Sequence, residues 1–472
     1  MEPIHLVLIL SGVMLVLVFA GMRVAFAAAL IGFVGLTLHF AIFKDKGLWD
    51  GMLTAINIAG LTPHSKLAAQ TLGLIPTFIV IGFLAYYAGL TTALFEAAKR
   101  WLGWLPGGLG LSTIFATAGF AAVSGASVAT SAVFARIAIP EMLKLGYDKR
   151  FAAGVVAAGG TLASLIPPSA ILVVYAIITE TSVGDLLLAG FLPGLVSALI
   201  YGALIIGIAK VRPSIGPTVT GFTWKQRFAS LPGTLPILFV VFVIILSIST
   251  GWATPTEAGA LGAFVVLAVA LIRGMKMGQL RDALMEAAKL SAMIFAMIWG
   301  VLIFVRYLGF ARVPMFLENW IGSLDQPAIV ILLAVLAIYV VLGMFMDAIG
   351  MLILTLPITF PVVMALNGGD DVSKADSAFG MDGGDASIWF GILVVKMAEL
   401  CLITPPIGLN CFVVAGVRPE VSVQDVFRGA SPFFIADVAT IAVLIAFPPI
   451  VLFLPNLLGS SLHRSVRGPE QP

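Results

Sequence analysis

Two stretches set the same chemistry into apolar surroundings. GGTLASLIPPSAIL (159–172) and AELCLITPPIGLNC (398–411) carry the adjacent prolines Pro167-Pro168 and Pro405-Pro406, with Ser169, Thr404 and Asn410 beside them. Proline lacks a backbone donor and clashes with the preceding turn, so each pair interrupts a helix and frees backbone groups. Freed carbonyls suit alkali cations, and helix N-terminal amides suit carboxylates. Two further breaks add hydroxyls, a carboxylate and glycines: SGAS, with Ser124, Gly125 and Ser127 before Thr130, and GMFMD, with Gly343 and Asp347. Gly160 and Gly408 flank the proline pairs. These fifteen residues form the candidate ion- and solute-binding set. Backbone unpaired at membrane depth is tolerated only inside protein or against a water-filled cavity, so the four breaks are expected to meet around one site. Which oxygens ligate the ion is open, and no catalytic residue is expected.

The enzyme classes find no footing. No G-x-x-x-x-G-K-[ST] loop occurs, so the chain does not energise itself with ATP through a Walker motif. His5, His39, His64 and His463 form no pair at metal-ligand spacing, and none lies beside the serines of the apolar segments. A hydroxyl nucleophile needs a base within reach. Cys401 and Cys411 sit in apolar sequence and read as buried free thiols. No cofactor is called for beyond a coupling ion.

The elements that position these residues follow from composition. Of 472 residues, 60% are hydrophobic and 11% charged, where soluble domains carry about 25% charged residues. Apolar runs at 4–20, 24–43, 186–208, 235–248, 258–272, 328–346 and 434–455 approach or meet the roughly 20 residues a membrane helix needs. The chain reads as an all-α polytopic membrane protein in a lipid bilayer. Its first run lacks a basic leader and a small-residue cleavage site, and reads as a retained helix. The net charge of +2 gives no argument for nucleic acid.

Two halves emerge, residues 1–209 and 234–472, joined by a linker at 210–233 that holds Lys210, Arg212, Lys225 and Arg227 and so belongs in the cytoplasm. Each half holds a small-polar break, a proline (Pro140 or Pro361) and then the Pro-Pro element. The loop after Pro140 is basic, with Lys144, Lys149 and Arg150. Its counterpart after Pro361 is acidic, with Asp370, Asp371, Asp376, Asp382 and Asp385. Equivalent loops on opposite membrane faces are the mark of inverted-topology repeats. Lys99, Arg100, Trp101 and Trp104 read as a cytoplasmic interface anchor. About 33 apolar residues between that anchor and Lys144 suit a re-entrant hairpin at about 108–140. A broken helix at about 151–179 follows, and the second half offers a hairpin at about 328–366 and a broken helix at about 388–417.

Plainer readings stand beside these. Ser124 and Ser127 also suit close helix packing. Asp347 would serve function or reach a lipid interface. Glu399 and Lys396, at i,i+3 spacing, suit a structural pair better than a protonation site. Thr254-Pro255-Thr256-Glu257 reads as a helix start with a capping box. Arg136 would meet a substrate carboxylate or anchor the chain at the cytoplasmic face.

The ordered series SGASVAT, IPEMLKLGYDKR, GGTLASLIPPSAILVVYA, FLPGL, ATPTEAGA and LITPPIGLNCFV resembles the large membrane subunit of TRAP (tripartite ATP-independent periplasmic) transporters over most of the chain. The resemblance implies an elevator-type, sodium-coupled carrier with a mobile transport domain and a scaffold, in the inner membrane of a bacterium or archaeon. It implies a separate small four-helix membrane subunit and a periplasmic solute-binding protein that delivers an organic acid, such as a dicarboxylate, a keto acid or a sialic acid. The Asp-rich insert at 370–385 is longer than the family pattern leads one to expect. The competing reading is a stand-alone ion-coupled carrier of carboxylates or other anions. A channel would need a continuous polar stripe, which the sequence lacks.

Overall fold

The computed structural model describes residues 3–459 except 68–69, 314, 317–319, 321–325 and 345. His463 and the end of the second half at 460–472 lie outside the described residues, as do Phe345 within the second small-polar break and the side chain of His64. Among the described residues the chain is helical, without a strand. Among the described residues, six helices are long and apolar enough to cross a membrane, or up to eight if each of two bent pairs counts as one span. This is a multi-pass membrane protein.

The opening helices are α1 (Pro3–Phe19), α2 (Val24–Phe43), α3 (Gly47–Leu67) and α4 (Leu74–Tyr87). Helix α5 (Leu90–Leu102) bends 68° from α4. Two short-turned pairs follow: α6 (Gly108–Ser124) with α7 (Ser127–Lys144), then α8 (Lys149–Thr161) with α9 (Ala170–Thr179). Helix α10 (Val183–Val211) leads to the linker, whose polar sequence folds into a short helix, α11 (Trp224–Ser230). The second half holds α12 (Leu235–Ser249), α13 (Pro255–Ile272) and α14 (Met277–Phe310), then the pairs α15 (Ala328–Gly343) with α16 (Ala348–Asn367) and α17 (Gly383–Cys401) with α18 (Leu409–Val417). Helices α19 (Val423–Ala446) and α20 (Pro449–Leu454) follow, and a π-helical turn (Pro455–Gly459) ends the described chain.

Among the elements that depart from the apolar runs, two do so for a local reason. The run at 434–455 is two helices, because Pro448 and Pro449 cannot continue α19. The 34-residue α14 is absent from the runs, since Lys289 and Arg306 bound its uncharged stretch to fewer than the roughly 20 residues that mark a span. Elsewhere local chemistry sets the boundaries as expected. Thr254 caps α13 with Glu257 completing the box, and Pro255 stands at its first position.

The helices form two groups. Helix α14 packs on α2, α3 and α4, and α13 packs on α4 and α12; we call this group the frame. The two short-turned pairs of each half form the other group. Their packing is crossed: α7 rests on α18, and α16 rests on α9, so each half embraces the broken helix of the other. Trp101 of α5 stacks edge-on against Trp224 and Phe228 and donates from Nε1 to the Arg227 carbonyl at 3.2 Å, tying the linker to α5. The acidic insert is an ordered loop. Asn367 donates from Nδ2 to Met381 O at 3.0 Å and accepts from Phe379 N at 3.3 Å, and Lys374 lies 2.9 Å from Asp385. That contact raises the Lys374 pKa above its ordinary value, through the hydrogen bond first and charge attraction second.

Candidate functional site

The turn between α6 and α7 closes on the break between α8 and α9. Gly125 has φ +57°, and the space a Cβ would take is filled by the Pro168 carbonyl oxygen. Only glycine fits both demands. Around it gathers a group of oxygens. Ser124 Oγ lies 3.0 Å from Thr130 Oγ1, which donates to Ala126 O at 2.9 Å. Ser127 Oγ forms a short hydrogen bond with Ser164 Oγ, and Ser169 Oγ donates to Ser164 O while capping α9 through Leu172 N at 3.3 Å. All these hydroxyls are buried. Gly160 lies against Ser131, whose buried Oγ has no hydrogen-bond partner.

The second half repeats the arrangement with different side chains. Met344, at the turn between α15 and α16, accepts from Ile407 N in the second break at 3.3 Å. Gly343 leaves space that Cys401 Sγ fills. Asp347 caps α16 and accepts from Gly350 N at 3.0 Å through Oδ2. Thr404 Oγ1, in the break just past α17, donates to Leu400 O at 2.6 Å in the last turn of that helix. Gly408 starts α18 at φ +37°. Asn410 crosses to the first half, donating from Nδ2 to Ala157 O at 3.2 Å, while its Oδ1 is unpartnered.

The proline pairs share a cis peptide bond and differ in surroundings. Pro167 and Pro168 are buried and line an apolar cavity of about 170 Å³ with Leu187, Phe191 and Ile244. Pro405 and Pro406 are exposed.

A larger cavity, about 920 Å³, separates the frame from the paired helices. Of the fifteen candidate residues it brings together Ser124, Gly125, Ser127 and Asp347. Thr130, Gly160, Pro167, Pro168, Ser169, Gly343, Thr404, Pro405, Pro406, Gly408 and Asn410 do not line it. Thr130 and Ser169 stand just behind that wall, through their bonds to Ser124 and Ser164. The frame contributes Arg23, Tyr86, Tyr87, Glu286 and Lys289, which sequence reading did not single out. Arg136 joins them from α7 and reaches Tyr86 OH at 3.2 Å, and Tyr87 OH donates to Glu286 Oε1 at 3.3 Å. Among the described residues, Arg23, Arg136 and Lys289 have no carboxylate partner. Also among them, no three His, Cys, Asp or Glu side chains converge as a metal site. The signal for the frame residues was an ionisable side chain near an apolar helix, but nothing local ties α2, α4 and α14 to the breaks.

Interrupted helices around a largely apolar cavity with a few charged and hydroxyl groups, between two packed groups of membrane helices, make this protein a membrane transporter in architecture. The comparisons give the family. The sequence model described as "Tripartite ATP-independent periplasmic transporter, DctM component" matches residues 11–450, so the chain belongs to that family and is a TRAP transporter large permease. It is 34% identical to the C4-dicarboxylate TRAP transporter large permease protein DctM of Pseudomonas aeruginosa, over 86% of this chain and 90% of that one. It is 28% identical to the sialic acid large permease SiaM of Vibrio cholerae, over 93% and 96%. An isethionate permease of Oleidesulfovibrio alaskensis, named DctMQ, is 30% identical over 90% of this chain and 65% of its own length. In fold, the chain is similar to the Alcanivorax borkumensis YdaH transporter, with TM-score 0.58 at 13% identity, covering 83% and 88%.

Proposed function

We propose that this large permease moves an organic acid inward through the inner membrane, driven by sodium. It works with a small membrane subunit and takes its solute from a periplasmic binding protein. The observation that carries the reading is the cavity: Arg23 and Lys289 of the frame and Arg136 of α7, without carboxylate partners among the described residues, line it together with the hydroxyls of Ser124 and Ser127. Unpaired guanidinium and ammonium groups in a confined space favour an anion. Dicarboxylates, keto acids and sialic acids share that chemistry, and the choice among them belongs to the binding protein. Sodium is assigned to the oxygens of Ser124, Ser127, Thr130, Ser164 and Ser169 with neighbouring carbonyls, a hard-oxygen set suited to an alkali cation. In the second half, Asp347, Thr404, Asn410 and the carbonyls near Gly343 and Gly408 are the matching donors. The crossed pairs move as one body against the frame, in an elevator motion. By the positive-inside argument, the cavity end bearing Arg136, Glu286 and Lys289 faces the cytoplasm.

The test is uptake into proteoliposomes holding this chain and its small subunit, with labelled acid bound to the cognate binding protein outside. Uptake should require both the binding protein and an inward sodium gradient. Sodium-driven uptake of free acid without the binding protein would instead establish the stand-alone carrier.

A further inference from the structure

Apart from the cavity, the paired helices enclose an ionic cluster that the transport reading does not use. Lys396 and Glu399 on α17 and Asp437 on α19 have fully buried side chains. Lys396 Nζ donates to Glu399 Oε2 at 2.7 Å and to Ser197 Oγ at 2.6 Å, and lies 2.6 Å from Asp437 Oδ1. Those contacts engage all three ammonium protons. Tyr201 of α10 donates to Asp437 Oδ1 at 2.5 Å, and Thr161 of α8 lies 3.4 Å from the same phenol. Tyr201 and Cys401 are the other titratable groups facing the cluster. Glu399 Oε1 and Asp437 Oδ2 are left without a hydrogen-bond partner.

The charges do not balance. Two carboxylates against one ammonium leave a net negative charge where no side chain reaches water. An uncompensated buried charge is costly enough that a carboxylate takes up a proton instead. One proton, on either carboxylate, supplies the missing charge. We propose that Lys396, Glu399 and Asp437 form a proton-binding site, in which one of the two carboxylates carries a proton that is resident at neutral pH. The cluster is then neutral. It joins α8 and α10 of the first half to α17 and α19 of the second, and its proton travels with those helices.

Infrared spectroscopy of the full-length chain in nanodiscs, in H2O and D2O, tests the site. The wild type should show a deuterium-sensitive carboxylic-acid C=O band that Glu399→Gln and Asp437→Asn each remove, because either leaves one carboxylate balanced by Lys396. Superimposable spectra would overturn the proposal. Each single variant should melt close to wild type, whereas the double variant, with Lys396 unbalanced, should melt roughly 5–10 °C lower. Adding Lys396→Met to the double variant should recover part of that loss. Single variants that unfold, or that melt below the double, would refute the charge count. A sodium-dependent rise in wild-type melting that both single variants lose would identify sodium, not a proton, as the balancing charge.

Discussion

Arg136 shows how one side chain acquires a role from its surroundings. On α7 alone it is a basic residue near a cytoplasmic loop, and the sequence left it between anchor and ligand. In the fold it is exposed to the cavity, steadied by Tyr86. Replacing it with Gln should raise the KM for the delivered acid about 10-fold or more, the worth of one charge-assisted hydrogen bond, with little change in melting temperature. An unchanged KM would assign Arg136 to anchoring. Ser127 makes the complementary case. Ser127→Ala removes one hydroxyl from the oxygen group, and the sodium concentration for half-maximal uptake should rise several-fold while the KM for acid changes less. Equal effects on both would place Ser127 in packing. Sequence reading found Ser127 because it lies in a visible break. Its partner Ser164 went unnamed although it stands within the first Pro-Pro stretch. Asp437 was passed over for a different reason: a single carboxylate in the long apolar run at 434–455 gives no hint of Lys396, 41 positions away in sequence. The Lys396–Glu399 pair was legible because its spacing is local.

At the scale of elements, the two turns and the two Pro-Pro breaks are coupled inside each half. The tightest point is Gly125 against the Pro168 carbonyl. An alanine there meets a left-handed backbone cost of about 1–2 kcal/mol and an occupied space as well. Gly146→Ala, at φ +80° with nothing near its missing Cβ, bears the backbone cost alone. Gly125→Ala should therefore melt lower than Gly146→Ala and lose most uptake, and equal behaviour would mean that turn and break are not pressed together. Helix starts, small-polar turns and proline breaks were readable because capping and proline chemistry act over a few residues. Helix α14 was not, because its amphipathic first turns and apolar remainder send opposing signals. The acidic insert was legible only as charge; its order comes from Asn367 and Lys374, whose partners lie 11 to 14 residues on.

For the whole molecule, the composition and the paired motifs announced a polytopic carrier, but not which helices stand still. The cavity divides frame from paired helices, and Tyr86 with Arg136 spans it. A bifunctional thiol reagent joining Tyr86→Cys to Arg136→Cys should stop the uptake that the same variant retains before cross-linking, while leaving binding-protein docking intact. Full uptake by the cross-linked protein would rule out relative motion along this boundary. The design needs no prior removal of native cysteines, which opens a last use for them. Cys401 and Cys411, the chain's two cysteines, are 2% and 0% exposed. To a water-soluble maleimide the folded protein is thiol-silent, and every labelling event counts one opening of its core. The unaltered chain thus carries its own clock for local unfolding. The pace at which Cys401 is captured would report how often the α15–α16 turn lifts from the helix beneath it.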